Sequence, residues 1–226
     1  MLADSDLSVF QRCGWLADTP AAFRSMILSG CVARTAGPGE VLYHVGDAAG
    51  GLYGVVQGQV GVHGAPHSGA QTLLHIVGPG FWTGEFTTVT GNRRAISLVA
   101  RSAVLVLLLP RATLLRLAAA EPLIWRHVAT LAVQNNIRAV SIITALRREA
   151  ATPRLAATLV NLAAEVDALP AVLHLSQDEL GALSRLSRGS VNAALARLER
   201  LGLLRRDYGA ITLLDVEALA AFEAAG

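Results

Sequence analysis

The 226-residue chain has no lysine: all nineteen of its basic residues are arginines. It is almost as poor in cysteine. Cys13 and Cys31 stand alone, with no C-x-x-C or comparable spacing. A cysteine-held iron–sulfur cluster is thereby excluded, and two unpaired buried thiols are expected. Long apolar runs are missing too. The stretch from Ala103 to Leu109 is bounded by Arg101 and Pro110, far short of the roughly 20 residues of a membrane-spanning helix. The segment from Met1 to Phe10 carries Asp4 and Asp6 and lacks a basic start followed by an apolar stretch. No signal peptide, no membrane association and a cytoplasmic location are therefore expected. There is neither a Walker-type phosphate loop nor a nucleophile–base arrangement, so no enzymatic activity is expected.

What is present is a core. Hydrophobic residues make up 53% and charged residues 16%, too apolar a mixture for a disordered chain. The formal charge is only +2, but nine of the arginines fall between Arg147 and Arg206, where six acids accompany them. A mildly basic C-terminal segment suits a polyanion. Arginine in place of lysine is equally what a GC-rich genome would produce.

The chain changes character near Pro110. Short apolar runs precede it: Val41–Tyr43, Leu52–Val56, Gln59–His63, Thr72–Val77, Ile96–Ala100 and Val104–Leu109. Turn signals separate them at Gly37-Pro38-Gly39, Gly46-Asp47, Gln57-Gly58, His67-Ser68-Gly69, Gly78-Pro79-Gly80 and Gly91-Asn92. That spacing predicts an all-β sandwich or barrel. Helical periodicity follows, with a break at Glu121-Pro122. Leu123 to Arg148 has no glycine or proline, and apolar residues recur at Ile124, Val128, Leu131, Val133, Ile137, Val140 and Ile143 or Thr144. So long a helix cannot bury both faces on one β domain, so a homodimer through this element is expected, with Asn135 and Asn136 near the seam. A third segment opens at Ala151-Thr152-Pro153 with Leu155, Leu159, Leu162 and Val166 inward, and ends at Leu169-Pro170.

The most informative stretch is Leu175 to Leu214. Ser176-Gln177-Asp178-Glu179 is a capping box, and Leu180 and Leu183 face inward after it. Ser187 is a second N-cap, followed by the stripe Val191, Leu195, Leu198 and Leu201 until Gly202 stops the helix. Two helices across a tight turn make a helix-turn-helix, and the N-terminal turn of the second enters the DNA major groove. Arg188, Gly189, Ser190, Asn192 and Ala193 face outward there. Arg188 can pair bidentately with guanine and Asn192 with adenine, while Gln177, Ser187 and Ser190 can bond phosphates and Arg197 adds charge. Leu203 to Thr212 predicts a two-stranded wing turning at Asp207-Tyr208-Gly209, with Arg205 and Arg206 available to the DNA backbone.

Leu175 to Gly181, Ser187 to Glu199, Gly202-Leu203-Leu204 and the upstream Thr152 to Ala163 together resemble the winged helix of the CRP/FNR regulators. Gly46-Asp47, Gly58 and Gly78-Pro79-Gly80-Phe81 resemble that family's β-roll turns, and Gly84-Glu85 resembles the opening of its phosphate-binding cassette. The resemblance implies an α+β fold. A double-stranded β-helix (a jelly-roll-like β-roll) over 1–120 would act as sensor, a dimerisation helix would span 121–149, and a winged helix-turn-helix would occupy 150–226. It also implies a homodimeric transcription regulator on a pseudo-palindromic operator in double-stranded DNA, with RNA polymerase as partner if it activates.

Two departures bear on its chemistry. Of the three base readers of the catabolite activator branch, Arg, Glu and Arg, only the first has a counterpart, Arg188. Gly189 and Ala193 occupy the other two positions. In the cassette, Arg94 fits the phosphate-binding arginine with a one-residue deletion, the following serine is Ala95, and the hydroxyls of the long helix are replaced at Ala139 and Val140. Gly84, Glu85, Arg94, Ala95, Asn136, Ala139 and Val140 are thus the candidate effector pocket. The lost donors disfavour cyclic AMP, leaving Glu85 and Arg94 as a relic ion pair and another small molecule, or none, as effector. Haem, on one of His44, His63, His67 and His75, is disfavoured as well. The rival readings are a metal enzyme using His63 and His67, a cyclic-nucleotide-binding regulatory protein acting on a protein partner, and a haem or redox sensor on the same scaffold. The first leaves the C-terminal segment unexplained and the second does not account for the Ser-capped helix, and no metal site is expected.

Overall fold

The computed structural model describes residues 7–64, 71–166 and 170–224. The chain divides into two compact units, the first formed by residues up to Thr72 together with Ile76–Asn136, the second by Leu73–His75 together with Ile137–Gly226. Within the first unit, α1 (Val9–Arg12) and α2 (Ala21–Ser29) precede eight strands: β1 (Val32–Ala36), β2 (Val41–Tyr43), β3 (Gly51–Gln57), β4 (Val60–Gly64), β5 (Thr72–Val77), β6 (Trp82–Thr83), β7 (Ile96–Ala100) and β8 (Val104–Pro110). A short helix, α3 (Glu85–Thr90), interrupts them after β6, and α4 (Arg111–Ala120) follows. The strands form two four-stranded sheets, ordered β1-β8-β3-β6 and β2-β7-β4-β5, with antiparallel pairing along β1, β8, β3 and β6.

β8 shows why the apolar runs are unbroken rather than alternating. Val104, Val106 and Leu108 point into the cluster between the sheets, with Tyr43, Tyr53, Val55, Leu98 and Phe81. Leu105, Leu107 and Leu109 point to a second cluster, where Phe10, Trp15, Ile27, Leu114, Ile124 and Leu131 cover the other face. A strand buried on both faces loses its polar half-period. Each such leucine contributes roughly 1.5–3 kcal/mol of burial. β1 went unseen in the sequence because four of its five residues, in Val-Ala-Arg-Thr-Ala, are exposed and carry no alternation.

α5 (Ile124–Leu146) begins after the break at Glu121-Pro122, as expected. Its Ile124, Val128 and Leu131 are buried, whereas Val133, Ile137, Val140 and Ile143 are each more than half exposed.

The second unit holds α6 (Ala151–Ala163), β9 (Val172–Leu173), α7 (Gln177–Ser184), α8 (Arg188–Arg200), β10 (Leu204–Asp207), β11 (Ala210–Leu213) and α9 (Val216–Ala224). Leu155, Ala156, Leu159 and Leu162 make the inner face of α6. The helix stops at Ala163, before Val166, and Asp167–Leu169 lies outside the described residues. β10 and β11 pair antiparallel around Tyr208-Gly209, where the wing turn was expected, and β9 adds a third strand. The expected turn at His67-Ser68-Gly69 lies outside the described residues, and with it one half of the His63/His67 pair.

Candidate nucleic-acid interface and sensor cassette

Both helices of the expected helix-turn-helix start on a serine. Ser176 Oγ accepts from the Glu179 amide at 3.2 Å, and the Glu179 carboxylate accepts from the Ser176 amide at 2.8 Å, so the capping box is closed. Ser187 Oγ accepts from the Ser190 amide at 3.1 Å and lies 2.9 Å from Ser190 Oγ. Each cap is worth roughly 0.5–2 kcal/mol. α8 is anchored by Val191, Ala194, Leu195 and Leu198, all buried. Leu201, expected on that stripe, is exposed because it is already the C-cap. Beyond it the amide of Leu203 bonds the Leu198 carbonyl and that of Gly202 bonds the Glu199 carbonyl, with Gly202 at φ 71°. This is the left-handed closure that glycine allows.

The N-terminal turn of α8 therefore stands out from the unit. Arg188 and Gly189 are exposed, Ser190 and Asn192 are half-buried and Ala193 is exposed. Gly189 is not demanded by packing: a Cβ there would meet nothing closer than Ser187 Oγ at 3.9 Å. Gln177, the first residue of α7, lines a hollow of about 160 Å³ with Ser176, Arg206, Asp207 and Gly209 of the wing. Arg197 does not join this group. It lies nine residues past Arg188, half a turn out of phase at 100° per residue. Its guanidinium sits 5.6 Å from the ring centre of Phe222 on α9.

The wing arginines correct an expectation. Arg206 is held by Glu199: Nε donates at 2.7 Å and the backbone amide at 3.0 Å. These bonds hold the Glu199 carboxyl below its ordinary range. Arg205 bonds Asp207 Oδ2 at 3.2 Å. Both side chains have carboxylate partners within the unit: Arg206 through β10 running beside the last turn of α8, and Arg205 through Asp207 two residues on in the same strand.

In the first unit, Gly84 and Glu85 open α3. Gly84 adopts φ 101°, and a Cβ there would fall 2.5 Å from the Gly51 carbonyl oxygen and 2.6 Å from an Arg94 nitrogen. Only glycine fits. Arg94 is buried: it donates to the Gly51 carbonyl at 2.8 Å and to Thr87 Oγ1 at 3.1 Å, and its guanidinium lies 4.2 Å from the Tyr43 ring centre and 5.5 Å from that of Tyr53. Burial pushes the Tyr43 hydroxyl up, against the pull of Arg94. Glu85 accepts from Asn135 Nδ2 at 3.0 Å, and the same amide donates to the Trp82 carbonyl at 3.1 Å. Sequence reasoning placed both asparagines at the seam and took Asn136 for the pocket. The structure separates them, because one helical residue is a 100° rotation: Asn135 reaches the cassette, while Asn136 is exposed. Ala95, Ala139 and Val140 are exposed too, while within the first unit Gly84 and Arg94 adjoin at the start of α3. Tyr43, Tyr53, Thr87 and Asn135 were missed. They are brought to the arginine by strand and helix register, which no local motif announces.

His75 is buried, with Nε2 3.3 Å from Glu165 Oε1. Burial would raise the Glu165 carboxyl, but the His75 hydrogen bond and the adjacent Arg138 charge hold it below its ordinary value. His63 is lowered by burial and by Arg101. Burial pushes the Cys31 thiol up to about 12. Among the described residues no cluster of three His, Cys, Asp or Glu side chains could hold a metal, and no helix is long and apolar enough to cross a membrane.

Residues 33–121 match the family model for the cyclic nucleotide-binding domain, and residues 153–222 match that for the Crp-like helix-turn-helix domain. This defines the class: a cyclic-nucleotide-binding-type β domain joined to a DNA-binding module. The chain is similar to the cyclic AMP receptor protein of Thermus thermophilus, 28% identical over 181 residues, covering 80% of this chain and 83% of that one. Among solved structures, a CRP/FNR-family transcriptional regulator, also from Thermus thermophilus, is 25% identical with a TM-score of 0.65, covering 85% of this chain and 98% of that one. FixK2 from Bradyrhizobium japonicum shares the fold at a TM-score of 0.75, with 22% identity over 87% of this chain and 98% of its own. The chain belongs to the CRP/FNR family of transcriptional regulators.

Proposed function

We propose that the protein works as a homodimer in the cytoplasm, reading a pseudo-palindromic operator through the N-terminal turn of α8. The observation that carries this is the Ser187-capped turn itself, with Arg188 exposed on a helix whose opposite face is fully anchored. Arg188 reads a guanine, Asn192 contributes adenine contacts, and Gln177, Ser187 and Ser190 bond phosphates and set register. Arg197 has a lesser part, as charge beyond the reading turn. The dimer is supported by the exposed row Val133, Ile137, Val140 and Ile143 on α5, whose three- and four-residue steps suit a helix pair.

The sensor's effector is a small molecule other than cyclic AMP, if it takes one. Arg94, the residue that would meet a cyclic phosphate, is already bonded and stacked inside the β domain, and the serine and helix hydroxyls that would assist are Ala95, Ala139 and Val140. The name of the Thermus relative points toward cyclic AMP, so the effector must be measured directly. RNA polymerase is the further partner if the protein activates.

In vitro selection from a random DNA library tests the core of this reading. The wild-type dimer is expected to enrich an inverted repeat with half-sites one helical turn apart. Arg188→Ala should lose that preference, by about 1–3 kcal/mol per half-site, while remaining dimeric. Enrichment of the same sequence by the variant would overturn the assignment.

A further inference from the structure

Arg185 is the one non-glycine residue at positive φ among those described, at φ 52° and ψ 43°. It sits in the turn between α7 and α8, where its amide donates to the Gly181 carbonyl and closes α7. The left-handed conformation crowds a Cβ against the chain, which is why glycine usually fills such a position. Among the described residues no side-chain bond of Arg185 offsets that strain. The side chain is exposed and, among the described residues, has no hydrogen bond or ion pair. Its charge lies between two helix ends, the C-terminus of α7, which favours a cation, and the N-terminus of α8, which disfavours one and whose first turn has no acid. Arg188, three residues on, is exposed in the same way, whereas other arginines of the unit are committed: Arg206 and Arg205 are paired with Glu199 and Asp207, and Arg154 bonds the carbonyls of Arg148 and Glu149. A strained backbone that carries an uncommitted cation marks a site shaped by something outside the chain.

We propose that Arg185 is a phosphate anchor for DNA. Its guanidinium binds a backbone phosphate next to the reading turn and fixes the docking of α8 without reading a base. This rests on the operator-binding reading above and adds to it a residue that sequence analysis had not singled out.

The test uses the full chain with Arg185→Gly, Arg185→Gln and Arg185→Lys, read by thermal unfolding and by affinity for the selected operator and for random DNA across a salt series. Arg185→Gly relieves the backbone and removes the charge, so its melting temperature should rise while its DNA affinity falls. Arg185→Gln should lose the same affinity with no gain in melting temperature. The loss should be roughly five-fold per contact at 0.15 M salt, with the slope of log K against log salt flattened by about 0.9 per contact, equally for operator and random DNA. Arg185→Lys should retain most of both. Wild-type affinity and slope in the Gly and Gln variants would overturn the proposal, as would a loss confined to the operator. Failure of the wild-type protein to select any sequence would instead sink the operator-binding reading, so the two failures are distinguishable.

Discussion

Gly54 and Trp82 show how much one residue settles in this protein. A Cβ on Gly54 would lie 2.4 Å from the Trp82 indole, which is itself packed against Phe10 and Trp15 at ring-centre distances of 5.2 and 5.7 Å. The indole is buried. Gly54→Ala should therefore destabilise the first unit by about 1–3 kcal/mol, measured as a lower urea midpoint at unchanged slope. Glu165 makes a different prediction. Its carboxyl is held below its ordinary 4.5 by His75 and Arg138, so the folded state binds that proton less readily than the unfolded one. The stabilisation is fully present above pH 4.5 and is lost as pH falls below it, through the folded value. Glu165→Gln should lower stability at neutral pH and flatten the decline below pH 4.5 in urea melts taken across the acid range. An unchanged acid limb would refute this role. In the sequence, Glu165 was one of six acids in a basic segment, with no sign of which partner it would meet.

Individual elements were the most legible. The serine caps, the break at Glu121-Pro122, the wing turn and most strands follow from short apolar runs, a helical period of about 3.6 residues and turn chemistry, which act over a few neighbours. β1 and the two-residue β6 and β9 escaped because they are too short or too exposed to carry a period. α5 carries two periods in succession: Ile124, Val128 and Leu131 are buried within the first unit, and Val133, Ile137, Val140 and Ile143 are left uncovered. If that second row is the dimer seam, Ile137→Asp should convert the protein to a monomer in analytical ultracentrifugation and abolish operator binding with helix content unchanged. A dimer that survives the charge would place the seam elsewhere.

For the whole molecule, the prediction concerns what the β domain senses. With Arg94 committed to Gly51, Thr87 and two tyrosine rings, calorimetric titration with cyclic AMP should give no micromolar binding, and the operator should be bound equally with and without the nucleotide. Micromolar affinity would show that the arginine turns outward to meet a phosphate. The sequence by itself determined the family, the order of the units and the reading turn at Ser187 and Arg188, because caps, turns and hydrophobic periods are local and the motif is contiguous. Only the tertiary structure decided that Asn135 rather than Asn136 meets Glu85, that Arg94 lies against two tyrosines 10 residues apart, that the wing arginines are paired with Glu199 and Asp207, and that Arg185 holds a left-handed backbone. Each of these depends on strand register, helix rotation or a dihedral angle, and such quantities are set by packing between segments far apart in the chain.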